Sequence, residues 1–140
     1  MNRFADWGLL LLRIVIGVIF IMHGQMKWGI WSAPAGAMST TMLTLFKVLS
    51  IVEPLLGIAI ILGVFTEWAS LILALDMLGA MFFKISGGTA FIGHQTTGWE
   101  FDLTLFAANI ILLMHGAGLL SLDRLWKKKS GSGSITTVKA

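Results

Sequence analysis

The sequence predicts an all-α integral membrane protein, a four-helix bundle oriented N-in/C-in, with both termini on the cytoplasmic side. Three observations carry that reading: four long apolar segments, tryptophans confined to segment ends, and a lopsided distribution of lysine and arginine. Of the 140 residues, 56% are hydrophobic and 12% charged, with mean hydropathy +0.87. A soluble domain carries about 25% charged residues, so this chain has too little polar surface to cover a water-facing globule. A membrane-crossing helix needs about 20 mostly apolar residues, and four of them absorb most of the apolar content.

The first helix is expected over about 7–26. Along it Arg13, Gly17, Phe20, Gly24 and Lys27 recur at spacings of 4, 3, 4 and 3, which is one stripe of a helix, with His23 beside it. Glycines on such a stripe allow helices to approach closely. The turn Ser32-Ala33-Pro34-Ala35-Gly36 separates it from a second helix over about 42–62, where Lys47, Ser50, Glu53, Pro54 and Gly57 share a face and Gly63 marks the end. A third helix runs over about 67–85, with Leu73, Asp76, Ala80 and Phe83 on one face and Ser86-Gly87-Gly88 after it. The fourth covers about 100–120. It carries one stripe of Asp102, Phe106, Asn109, Leu113 and Gly116 and another of Thr104, Ala108 and His115. Residues 1–126 thus form the transmembrane domain, and 127–140, basic and then rich in Ser and Gly, form a flexible cytoplasmic tail.

The tryptophans support the spans independently. Trp7, Trp28, Trp31, Trp68, Trp99 and Trp126 all fall at or just beyond segment ends, at the headgroup level that an apolar ring with an N–H prefers. Orientation follows from the cations flanking the spans. Arg3, Arg124, Lys127, Lys128, Lys129 and Lys139 lie on one side, against Lys27 and Lys84 on the other. Loops 27–41 and 86–99 then face outward. The first segment reads as a span rather than a cleaved signal peptide, although Ala35-Gly36-Ala37 resembles a cleavage site. Its apolar run exceeds the usual 7–15 residue core, and Arg13 interrupts it.

Charges at mid-bilayer cost about 2.5–3.5 kcal/mol on insertion scales, so they face the bundle interior and are paired. Arg13, Lys47, Glu53, Asp76 and Asp102 lie inside the spans. At about 1.5 Å per residue, Glu53 and Asp76 sit near the middle, and the long Arg13 side chain is expected to pair with one or the other in a buried ion-pair network. Nearer the outer leaflet, His23, Lys27, Lys47, Lys84, Glu100 and Asp102 share a level, with Trp99, Trp28 and Trp31 nearby; of these, His23, Lys27, Lys47, Glu100 and Trp99 are the candidate ligand-binding residues. These groups form an expected outward-facing pocket for a quinone head group or a small anion. The competing reading is that they are structural, with lysines reaching for the headgroups. His94 is read as a loop residue.

Several function classes fall away. There are no cysteines, which removes disulfides, thiolate nucleophiles, Cys-ligated zinc and iron–sulfur clusters. No haem is expected, because His23, His94 and His115 do not share a depth, and no other metal is expected. The cations are scattered or at membrane edges, so no nucleic acid is expected. Ser86-Gly87-Gly88 reads as turn chemistry, not a phosphate cradle.

An ordered set of residues then resembles the DoxX family of small four-helix membrane proteins. It comprises Leu12-Arg13, Gly17, Phe20, His23-Gly24 and Lys27, then Glu53, Gly57, Leu62-Gly63 and Thr66, then Gly98, Glu100, Gly116, Gly118 and Ser121-Leu122-Asp123. The resemblance covers about residues 9–124. It departs at Glu67, where relatives often carry a basic residue. The resemblance implies a multi-pass protein of the cell membrane related to the membrane subunit of a thiosulfate:quinone oxidoreductase. The expected function is therefore a membrane subunit of a quinone-linked oxidoreductase complex, without its own redox metal, partnered by the bilayer and by other membrane or redox subunits. A non-catalytic anchor or assembly subunit is the alternative, and a small-molecule or proton pathway through the polar interior is the third reading.

Overall fold

The computed structural model describes residues 3–34, 36–93, 96–118 and 120–125. Ala35, His94, Trp126 and the tail 127–140 lie outside the described residues, as does the Arg3 side chain. The described chain is helical: α1 (Arg3–Met26), a 3-10 helix (Trp28–Ser32), α2 (Thr40–Leu62), α3 (Thr66–Ser86) and α4 (Trp99–His115).

Boundaries agree with the sequence pattern except at two ends. Helix α1 begins at Arg3, one turn before the expected start, with Asp6 in its first turn, where a carboxylate complements the positive end of the helix dipole. Helix α4 corrects the expected 100–120 span. It stops at His115 because Gly116 turns to φ +66°, which leaves it 17 residues long. Three segments, 4–32, 40–62 and 66–86, are long and apolar enough to cross a membrane; α4 is shorter.

Elsewhere the ends are capped as the residues suggest. Ser39 Oγ accepts the Met42 N–H at 3.4 Å before α2. Gly63 closes α2 in the left-handed conformation, φ 69°. A side chain there would also collide with Arg13, whose Nη2 lies 2.5 Å from where a Cβ would stand.

Two antiparallel hairpins make the bundle. In the first, α1 and α2 cross where Gly17 meets the Gly57 carbonyl and Gly24 meets the Pro54 ring, contacts too tight for any Cβ. In the second, α3 and α4 run together. Leu9, Ile16, Phe20, Ile60, Leu73, Met77, Leu105 and Leu112 form the core between them. The outside is as apolar as the inside: Leu11, Met22, Leu55, Leu75 and Phe82 are all exposed. Only 22–33% of each apolar window is buried within the molecule. Water would not tolerate so large an uncovered apolar surface, whereas lipid does.

Candidate functional site

The charged groups lie toward the two ends of the bundle, with Glu53 and Asp76 near the middle of α2 and α3. At one end, α1 finishes at Met26 and the chain tightens into the 3-10 helix, with the Ile30 N–H donating to the Lys27 carbonyl at 3.1 Å. Lys27, at the joint, turns inward. Its ammonium donates to both carboxylate oxygens of Glu53 at 2.6 Å, and Glu53 is only 1% exposed. The Glu53 carboxyl in turn contacts that of Asp76 on α3. Across the same space, Lys84 of α3 pairs with Asp102 of α4 at 2.7 Å and also donates to the Gly98 carbonyl at 3.3 Å. His23 stacks on Phe101, with ring centroids 5.7 Å apart and planes 15° from parallel. It lies within electrostatic reach of Lys27, Lys84 and Asp102.

All four helices thus contribute to one cluster: His23 and Lys27, Glu53, Asp76 and Lys84, and Asp102. Two ammonium groups face three carboxyls. A carboxylate only accepts hydrogen bonds, so a bonded contact between Glu53 and Asp76 needs a proton on one of them. Asp76 Oδ2 is buried without a hydrogen-bond partner. The arrangement can offer donors from His23 and Lys27 to a carbonyl or oxyanion, a flat ring at Phe101, and a pair of acids to give or take a proton. Among the described residues no group of three or more ligands could hold a metal ion.

The outer wall of this end depends on a proline. Pro54 has no N–H, so the Ser50 carbonyl one turn earlier loses its helical partner. The Trp28 indole supplies one, donating to that carbonyl at 3.1 Å. Trp31 donates to Ser50 Oγ at 3.1 Å, and that hydroxyl donates to the Lys47 carbonyl at 2.7 Å. The two tryptophans are thereby clamped onto α2.

The expected site is regrouped by this geometry. His23 lies within electrostatic reach of Lys27, and Lys27 binds Glu53, which contacts Asp76. The Lys47 ammonium sits 5.3 Å from the centroid of the Trp31 ring. Trp99 packs edge-on against Phe91 at 4.4 Å. The Glu100 backbone N–H donates to the Phe91 carbonyl at 3.2 Å, which ties this residue to the loop before α4. Lys84 and Asp102 belong to the cluster without having been singled out. Their signal was available, since both are charged residues placed at the level of Lys27.

The expected pairing of Arg13 with Glu53 or Asp76 is corrected. Arg13 is 1% exposed and donates only to backbone: Nε to Ile60 O at 2.8 Å, Nη2 to Ile61 O at 2.7 Å, and Nη1 to Ala117 O and Leu120 O, both at 2.7 Å. The reason is helix offset. Because α1 starts at Arg3, its first turns extend past the end of α2, and Arg13 meets the terminal carbonyls of α2 that lack helical partners. Glu53 lies about 10 Å further along that helix. At this Arg13 end, Asp123 accepts the Phe65 N–H at 3.1 Å and the Thr66 N–H at 3.4 Å, capping α3 and holding Phe65 at φ 48°. The Asp123 N–H donates to Gly63 O at 3.0 Å.

The chain is similar to known proteins over most of its length. The DoxX family model matches residues 8–86, more than half of the chain. A Bacillus subtilis (strain 168) protein named "Putative oxidoreductase CatD" is 28% identical over 138 residues, covering 97% of this chain and 99% of that protein. An uncharacterized protein of Haemophilus influenzae is 31% identical over 134 residues, covering 92% of this chain and 98% of its own. No solved structure matches the chain.

Proposed function

We propose that this chain, which belongs to the DoxX family, is the membrane subunit of a quinone-linked oxidoreductase and that its ligand site is the polar cluster at the Lys27 end. The observation that carries the reading is the convergence there of ionisable side chains from all four helices. The cluster has two ammonium groups, a histidine and three carboxyls, and two of those carboxyls, Glu53 and Asp76, contact each other. The oxidoreductase named among the relatives supports the reaction class.

The residues present suit a quinone. His23 and Lys27 are donors for its carbonyl oxygens, Phe101 offers a face parallel to that of His23, and the buried oxygen of Asp76 lacks a partner. A bound quinone would supply a two-electron, two-proton acceptor, with the electrons coming from a redox centre on a partner subunit. The chain's own part is to hold the head group, exclude bulk water and relay protons through Glu53 and Asp76. Lys27 holds Glu53 in place while it does so.

In the bilayer we read α4 as a fourth crossing and the Lys27 end as the outer face, following the cation asymmetry of the flanks. Single cysteines at Ser32 and Thr96 should then react with an impermeant thiol reagent in intact cells, and one at Ser132 should not. Labelling at Ser132 overturns the orientation.

The functional test is binding to the purified chain in nanodiscs. A quinone analogue should bind wild type, His23→Ala should weaken it about tenfold, the equivalent of ~1.4 kcal/mol, and Lys47→Ala should leave it unchanged. Thiosulfate and sulfite, assayed in parallel, test the small-anion version of the same site. If wild type binds none of them, the chain acts as an anchor and the site assignment falls.

A further inference from the structure

Resting on the quinone reading, we infer that the groove between the 3-10 helix and α2 seats the hydrocarbon chain of the quinone, which enters sideways from the bilayer. The groove has a volume of about 500 Å³ and is lined by Trp28, Trp31, Ser50, Ile51, Pro54 and Leu55. That volume falls within the roughly 300–1,000 Å³ of small-molecule pockets.

Three features select an apolar chain as occupant. The groove opens on the lipid side, where Ile51 and Leu55 are 49% and 60% exposed. Its polar atoms are already engaged: both indole N–H groups, the Ser50 carbonyl and the Ser50 hydroxyl bond to one another or to α2. A head group would find no partner there, but a hydrocarbon chain meets ring faces and methyl groups. The groove also neighbours the cluster along the chain: Trp28 follows Lys27 and Pro54 follows Glu53, the two residues of the ion pair. In this proposal a ligand whose head lies by Lys27 runs its tail into the groove.

Lipid tails are as apolar as the groove, so burial from water drives nothing here and selectivity rests on fit. Shape is therefore what the experiment should perturb. Ile51→Phe and Leu55→Phe fill the groove from its lipid-exposed side, where replacement leaves the core untouched; unchanged melting temperatures verify this. The probes are a benzoquinone bearing a decyl chain and the same ring without it, added to the full chain in nanodiscs and followed by quenching of tryptophan fluorescence.

Filling the groove should weaken the decyl quinone about tenfold, ~1.4 kcal/mol, and leave the chainless ring unaffected. Trp28→Phe with Trp31→Phe should remove most of the quenching by the decyl form. Undiminished decyl binding in the filled variants, with binding still lost in His23→Ala, overturns the groove and leaves the head-group site standing. Failure of both quinones to bind wild type overturns both. Retention in native mass spectrometry of a phospholipid that only the filled variants lose, with quinone binding indifferent to filling, assigns the groove to an acyl chain instead and sinks the inference.

Discussion

The Arg13 end and the Lys27 end of the bundle both bury charge, and they neutralise it in opposite ways. Arg13 spends its hydrogen bonds on four backbone carbonyls, with the Asp123 carboxyl as its electrostatic neighbour. Their number is set by where α2 and α4 stop, and the planar fork of an arginine suits them. At the Lys27 end side chain meets side chain: Lys27 with Glu53, Lys84 with Asp102, and Asp76 against Glu53. Such a network has more than one protonation state and can be rearranged by a ligand. One end is a clasp that joins α1, α2 and the segment after α4. The other is the network from which the proposed site is drawn.

The largest expected effect breaks the clasp. Arg13→Leu takes a donor from four carbonyls, of which Ile60 O keeps the Gly63 N–H, and each unsatisfied buried group costs about 1–3 kcal/mol. A loss of roughly 5 kcal/mol is comparable to the whole stability of many proteins, so little folded protein should survive size-exclusion chromatography. Arg13→Lys keeps the charge without the fork and should melt between that variant and wild type. Combined with Glu53→Gln, it should be additive within about 0.5 kcal/mol. A larger coupling would mean that Arg13 and Glu53 interact after all and would erase the contrast between the two ends.

At the Lys27 end the expected loss is smaller and recoverable. Lys27→Met strands the Glu53 carboxylate and should cost roughly 3 kcal/mol. Adding Glu53→Gln should return most of it, since the stranded charge is gone. Coupling measured by thermal melting of the four proteins should exceed about 1 kcal/mol. Additive losses would show that the pair is incidental.

The smallest effect sharpens the account of the tryptophan wall. Trp28→Phe removes one hydrogen bond and should cost about 1 kcal/mol. In a Pro54→Ala background the helix regains the N–H that serves the Ser50 carbonyl, so the same change should cost under about 0.5 kcal/mol. Equal costs in both backgrounds would detach the tryptophan from the proline.

What could be read from the chain alone was everything governed by local pattern. Apolar runs and the tryptophans at their ends marked the helices, because lipid demands internally bonded backbone over a fixed thickness. The stripe of Gly17, Gly24 and Lys27 marked the face of α1 that packs inward, because helical spacing decides which residues share a face. The end of α4 was misjudged because a glycine inside an apolar run signals a stop only once its backbone angle is known. Tertiary structure decided the partners. Which carboxyl meets which cation depends on the vertical offset between helices, and that offset is set where Gly17 meets Gly57 and Gly24 meets Pro54. A shift of two helical turns, about 11 Å, separates an Arg13 paired with Glu53 from one that clasps the end of α2. Composition and spacing along one helix carry no information about that shift, because only contact between backbones fixes it.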